Sequence, residues 1–283
     1  MMKKKKEAMK NNIQLVHSFY TRHLDEKSFF IHCLCFVLSC IYAKKSGFLI
    51  NLHTDKRGYE YLNMCPYDNI FVDLDDVNLT AEKLYAAVKF KVMEKYPLGT
   101  IHIDGDVLLK NKVLLDLMNF DDYDAIVQCV EKPPLYGFGW KESASTLDKC
   151  KYPDWANRDC NIMYNCGVIG INNPELKKLY FDTYWDMYDQ YCENGIIKPS
   201  VPDLAIEQQF LYDICESKKY KVKCIIDGDH PSKSANLIGY QHLIGNTKNK
   251  EYLQIIKKIK ELDVNIYQKL KMKFYGKFRS VWC

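Results

Sequence analysis

Strand-length apolar runs that alternate with helical segments predict an α/β fold, with a mainly parallel central sheet flanked by helices and a helical C-terminal extension. Three observations carry this. Apolar runs of strand length recur at residues 13–20, 48–53, 69–74, 100–103, 125–130, 163–171 and 222–226. Helical stretches lie between several of them, closed by glycine, proline or lysine. The chain has 283 residues, 47% of them hydrophobic, which is enough apolar surface for a sizeable core.

Residues 1–12 are charged and polar and read as a flexible basic tail, with no apolar run of signal-peptide type directly after Lys3–Lys6. After the first strand, residues 29–43 read FFIHCLCFVLSCIYA. That run falls short of the ~20 residues a membrane-spanning helix needs, and it carries His32 and Ser39, so a buried core helix is expected. Lys44, Lys45, Ser46 and Gly47 form its stop signal. Thr80 can cap a helix over residues 81–96, which Pro97 and Gly99 end.

The strand at 100–103 runs into Asp104-Gly105-Asp106, and in parallel α/β sheets ligands gather beyond such strand ends. Residues 131–161 hold Pro133, Pro134, Gly137, Gly139 and Pro153 with Tyr136, Phe138, Trp140 and Trp155. A loop of that length with that many aromatics is expected to form a wall or lid of a site. The strand at 163–171 precedes helices at 174–192 and 202–217. A strand at 222–226 then leads to a second loop, 227–249, and to basic helical segments. No linker separates domains, so one domain is expected over residues 13–250, with an extension over 251–283.

Lysine and arginine number 40 against 36 acidic residues, a net charge of +4, which is too balanced for a dedicated nucleic-acid binder. Near the C-terminus Lys269, Lys271, Lys273, Lys277 and Arg279 interleave with Phe274, Tyr275, Phe278 and Trp282. Such a mixture suits either a solvated last helix or peripheral contact with an anionic membrane surface. The 12 cysteines are scattered, without a C-x-x-C pair, and read as reduced thiols of a cytoplasmic protein.

Two carboxylates flanking a glycine at a strand end can turn toward one hard cation, and Gly105 lets the backbone approach a ligand closely. D-x-D alone is weak: Asp73-Leu74-Asp75 repeats it and reads as a solvated turn. Asn165-Cys166-Gly167 interrupts an apolar strand, which points either to ligand contact or to a β-bulge with a satisfied amide. Glu207 and Gln208 break an apolar helix, and on pattern alone an exposed helical face is the better explanation of them. His242 is followed by Gly245 and Lys248, a possible metal ligand, a close-approach glycine and a phosphate partner. Tyr20, at the end of the first strand, reads by itself as a core aromatic.

Taken in order, IHIDGDVLL, MYNCGVIGI, AIEQQF and HLIGNTK resemble the motifs of GT-A-fold, D-x-D-containing glycosyltransferases. Within these, the resemblance is to the glycogenin-like and bacterial lipopolysaccharide hexosyltransferases, over residues 13–249. The resemblance implies a single Rossmann-like GT-A domain. It also implies transfer of a hexose from a nucleotide-diphosphate sugar, a UDP-sugar first, to a glycan or lipid-linked glycan hydroxyl in polysaccharide biosynthesis. Asp104, Asp106 and His242 would then bind Mn²⁺ or Mg²⁺, while Tyr20, Lys89, Gly105, Gly245 and Lys248 contact the donor. Asn165 and Gly167 would line the sugar or acceptor pocket, with Glu207 and Gln208 at the reacting carbon.

The chain departs from the family pattern at Cys166, at Glu207 where Asp is usual, and at Asn249 where Pro-Trp follows the lysine. These departures leave retention or inversion of configuration open. Two rivals stand beside this reading: a HAD-type phosphatase, which also uses D-x-D at a strand end, and a GT-A scaffold that binds nucleotide or glycan without turnover.

Overall fold

The computed structural model describes residues 13–77, 86–132, 147–156, 162–194, 204–245 and 247–282. In chain order these form β1 (Gln14–Phe19), α1 (Glu26–Lys45), β2 (Leu49–Thr54), α2 (Lys56–Leu62), β3 (Asn69–Val72), α3 (Ala86–Glu94), β4 (Ile101–Ile103), β5 (Val107–Leu109) and α4 (Val113–Leu117). There follow β6 (Ala125–Glu131), β7 (Met163–Ile171), α5 (Pro174–Glu193), a π-helical turn (Leu204–Gln209), α6 (Phe210–Lys218), β8 (Val222–Cys224) and α7 (Pro231–Ile238). The chain closes with β9 (Tyr240–His242), α8 (Thr247–Leu262), α9 (Val264–Phe274) and α10 (Arg279–Trp282). Seven strands are ordered β3-β2-β1-β4-β7-β6-β8, and β5 pairs separately with β9. The pairs β1–β2, β2–β3 and β6–β8 are parallel and β6–β7 is antiparallel, so the fold is the mainly parallel α/β class expected.

The chain divides into two compact units, each assembled from separated segments: Met1–Val77, Ile103–Asp116 and Asn236–Cys283 in the first, Asn78–His102 and Leu117–Ala235 in the second. Because each unit is re-entered by the chain, no linker composition marks the division.

In the first unit, α1 is the core helix. Asp25 caps it by accepting from the Ser28 amide, Glu26 sits in its first turn and Lys44 and Lys45 in its last, each complementing the helix dipole. By length and composition this helix is apolar enough to cross a membrane. Its residues from Phe29 to Ala43, His32 apart, are instead buried in the protein. Asp55 caps α2 through the Gly58 amide at 2.8 Å and also takes the Thr21 amide at 2.7 Å.

The C-terminal helices complete this core. Phe30 stacks on Phe278 at 4.3 Å and meets Phe274 at 4.8 Å and Trp282 at 5.9 Å. The aromatic side chains offered to a membrane by the sequence pattern therefore turn inward, and of the four only Tyr275 is exposed. Lys277 pairs with Glu26 at 2.7 Å and Lys271 donates to the Trp282 carbonyl at 3.1 Å.

The core of the second unit gathers Phe90, Tyr180, Tyr184 and Met187 around β6 and β7, with Phe90 stacked on Tyr184 at 3.6 Å. Asn173 caps α5 through the amides of Glu175 and Leu176. Trp155 packs edge-on against Phe210 at 5.7 Å, whereas Tyr136, Phe138 and Trp140 of the expected lid, and the Thr80 cap, lie outside the described residues.

One expectation is corrected. Residues 227–249 are not an open loop: they contain α7, β9 and the start of α8, elements too short to impose a period on the sequence. The Asp73-Leu74-Asp75 segment is the exposed turn expected, and its carboxylates are tied down. Asp73 accepts from the buried His53 Nδ1 at 2.9 Å, Leu74 is buried, and Asp75 accepts from the Lys56 amide at 3.1 Å.

The aromatic cluster around Phe30 generates a test of the first unit's core. Phe30→Ala is expected to lower unfolding free energy by about 3–5 kcal/mol in urea titration. A loss below about 1 kcal/mol would show that the C-terminal helices do not contribute to this core.

Candidate functional site

In the first unit the D-G-D turn leads straight into β5, and β5 pairs antiparallel with β9 so that Val107 stands opposite His242. The Leu243 amide donates to the Asp106 carbonyl at 3.0 Å, and the Val107 amide to the Asp104 carbonyl at 3.0 Å. Backbone pairing thus sets Asp106 beside His242 although they lie 136 positions apart in sequence. Beyond β9, Gly245 takes φ 58°, a left-handed conformation that glycine adopts at little cost, and the chain enters α8 at Thr247.

Lys248 in the first turn of α8 donates from Nζ to Asp106 Oδ2 at 2.9 Å, while His242 Nε2 lies 3.2 Å from Asp106 Oδ1. Asp104, Asp106 and His242 each offer a ligand atom, and these atoms lie within 4.8 Å of one another. Gly105 cannot carry a side chain here, since a Cβ would collide with the Phe36 ring of α1.

Burial works to raise the Asp106 pKa, but hydrogen bonding and charge from His242 and then Lys248 outweigh it and hold the carboxyl well below its usual range. Lys248 is pushed the other way: burial opposes its charge, and the attraction of Asp106 more than offsets that. The group is therefore an ionised carboxylate already neutralised by a cation. Its donor set, two carboxylates and an imidazole, suits Mn²⁺ or Mg²⁺, and the three groups are close enough to share one ion after small side-chain rotations.

The first unit also holds Tyr20, expected to contact a donor, and His32. Tyr20 Oη donates to the Val77 carbonyl at 3.3 Å, and its ring lies 5.9 Å from that of His23. His32, one helical turn before Phe36 on α1, was read only as an interruption of an apolar run. Burial, and then the charge of Lys248, lower its pKa to about 4, so it faces the same electrostatic field as Asp106 as a neutral imidazole. A histidine inside so apolar a helix is the signal that could have identified it.

The second unit holds its own polar cluster. Lys89 and Glu207 are both buried and paired at 2.6 Å, and Lys89 Nζ also donates to the Cys166 carbonyl at 2.9 Å. Glu207 therefore does not lie on an exposed helical face. The π-helical turn carries it inward, and its backbone carbonyl accepts from Tyr180 Oη at 2.8 Å. Such turns recur at functional sites. Gln208 is half-buried, and its Oε1 has no hydrogen-bond partner among the described residues. Asn165 Nδ2 donates to Glu131 Oε1 at 2.6 Å and Asn165 Oδ1 accepts from the Gly167 amide at 2.9 Å. The β6–β7 register shifts at this point, so Asn165 and Gly167 sit in a bulge whose amide is satisfied.

Residues 14–282 match the family described as Family of unknown function (DUF6734), and the chain belongs to that family. No curated protein matches the chain. Among solved structures, galactosyltransferase LgtC, in complex with donor and acceptor sugar analogues, is similar at 12% identity and TM-score 0.38, over 68% of this chain and 69% of that one. Mouse xyloside xylosyltransferase 1 is similar at 13% identity and TM-score 0.41, over 76% and 85%. Glycosyltransferase GlyE of Streptococcus pneumoniae TIGR4 is similar at 14% identity and TM-score 0.40, over 75% of this chain but only 44% of that one.

The buried pair of the second unit yields a stability test. Lys89→Met leaves Glu207 as an uncompensated buried charge and should cost about 3–5 kcal/mol in urea unfolding. Adding Glu207→Gln to that variant should recover much of the loss. A double variant no more stable than Lys89→Met alone would contradict the pairing.

Proposed function

We propose that this member of the family is a divalent-cation-dependent glycosyltransferase that moves a hexose from a nucleotide-diphosphate sugar, a UDP-sugar first, to a hydroxyl of a glycan or glycolipid. The observation that carries the reading is the meeting of Asp104, Asp106 and His242 within 4.8 Å, with Lys248 bound to Asp106. The order of the four motifs along the chain supports it independently.

Asp104, Asp106 and His242 would hold Mn²⁺ or Mg²⁺, which when bound neutralises charge on a departing diphosphate. Lys248 brings a second positive charge to the same place, and its attachment to α8 keeps that charge near Asp106. Tyr20, half-buried at the end of β1, offers a ring face to a nucleobase. In the transfer the bond between the sugar's anomeric carbon and the phosphate oxygen breaks, its electron pair leaving on the nucleoside diphosphate. The acceptor oxygen bonds to that carbon and releases its proton to solvent water.

Asn165, Gly167, Glu207 and Gln208 are assigned to recognition of sugar hydroxyls, with Gln208 Oε1 as a ready acceptor. Because Glu207 is already engaged by Lys89, its role in this reading is to orient rather than to attack. Lys89 is committed to Glu207 and the Cys166 carbonyl, so its role in this reading is to hold Glu207 in place. A cytoplasmic location belongs to this reading and rests on the scattered cysteines of the sequence, which include no C-x-x-C pair. With Phe274 and Trp282 buried, any membrane contact would fall to exposed residues such as Tyr275 and Lys269.

Asp106→Ala is expected to lower Mn²⁺-dependent turnover of UDP-sugars by about a hundredfold or more, with the circular dichroism spectrum unchanged. Wild-type turnover of that variant in the presence of chelator would refute the reading. Hydrolysis of a phosphomonoester with no sugar donor present would favour the phosphatase reading instead.

A further inference from the structure

Three polar residues of the first unit that the reaction does not use, Ser39, His17 and Tyr67, form a line. Ser39 Oγ donates to the Val107 carbonyl at 2.5 Å. Its single proton being committed there, Ser39 Oγ can only accept from His17 Nε2, 3.2 Å away. His17 must then carry its proton on Nε2, and its Nδ1 accepts from Tyr67 Oη at 2.9 Å, a closer acceptor for that hydroxyl than the Phe36 carbonyl at 3.4 Å. Each hydrogen bond dictates the direction of the next, so the line has one polarity and selects one tautomer of His17. Burial holds His17 far down on the basicity scale, at about 3. It is therefore neutral, with the one donor and one acceptor such a line requires.

The line ends at Val107, the residue after Asp106 and the partner of His242 across the β5–β9 ladder. It thus reaches the backbone where the two sides of the cation site meet. On the same face of α1, Phe36 lies three residues before Ser39 and packs against Gly105. A hydroxyl and a ring one turn apart therefore hold the turn between Asp104 and Val107 from one side. We propose that Tyr67, His17 and Ser39 are positioning residues that fix Val107, and through it Asp106 and His242, in register for binding a divalent cation. The inference rests on the cation site of the proposed function.

The test is Mn²⁺ affinity, read from the electron paramagnetic resonance signal of free Mn²⁺, together with the melting temperature of the metal-free protein. Ser39→Ala and Tyr67→Phe are each expected to weaken Mn²⁺ binding by about tenfold. The double variant should bind no more weakly than the weaker single variant, since a line broken once has nothing further to transmit. Tyr67→Phe, at the far end, keeps the test decisive even if Ser39→Ala folds poorly. Losses that add, or lowered melting temperatures with unchanged Mn²⁺ affinity, would overturn the inference and leave these residues as core packing. Asp106→Ala separates the two levels of the account. If it binds Mn²⁺ like the wild type, the cation site itself fails. If it does not bind while Ser39→Ala and Tyr67→Phe bind normally, only the positioning role fails.

Discussion

The three-residue ladder between β5 and β9 is the constraint on which the candidate site depends. Strand pairing fixes which side chains are neighbours, and a slip of one residue turns each to the opposite face. Here the register puts Val107 opposite His242, so Asp106 and the imidazole meet at 3.2 Å. Three paired residues are a short hold for a site that must keep its geometry. The hydroxyls of Ser39 and Ser46, which donate to the carbonyls of Val107 and Leu109, pin the same strand to α1. That gives the apolar helix a part in the site beyond filling the core.

Charge organisation follows from that register. Only 12% of the Asp106 side chain is exposed, which by itself would favour its neutral form, yet it has a partner on each oxygen. The arrangement is electrically satisfied without an ion, and it leaves a lysine and an imidazole whose bonds to Asp106 can be exchanged for others. In the second unit, Lys89 and Glu207 are satisfied more completely and more deeply. A buried pair of this kind is a poor source of net stability but a strict enforcer of geometry, because either partner alone is costly.

What the sequence made legible follows the range of the interactions involved. Strands and helices with several periods of apolar residues stand close to where they were expected: β7 spans Met163–Ile171, and α5 spans Pro174–Glu193. The D-G-D turn was recognisable because a strand end followed by two carboxylates is a local pattern. The inward rotation of Glu207 was not, since it depends on a π-helical turn and on Lys89, 118 positions away. Nor was the ladder at residues 240–242, whose three residues show no period and acquire strand geometry only by pairing with β5. The division into two units was hidden for a related reason, as each is built from segments far apart in the chain. His17 and Ser39 lay inside apolar runs where one polar residue reads as an exception, and only the fold aligns them with Tyr67.

The central claim is that Asp104, Asp106 and His242 jointly bind a divalent cation beside a nucleotide diphosphate. Its most direct test is anomalous X-ray scattering from crystals of the full chain grown with Mn²⁺ and UDP. The account predicts a manganese peak in contact with both carboxylates and with the imidazole of His242. A manganese peak bound elsewhere on the chain, or UDP bound with Lys248 still closed on Asp106 and no manganese between the three side chains, would contradict it.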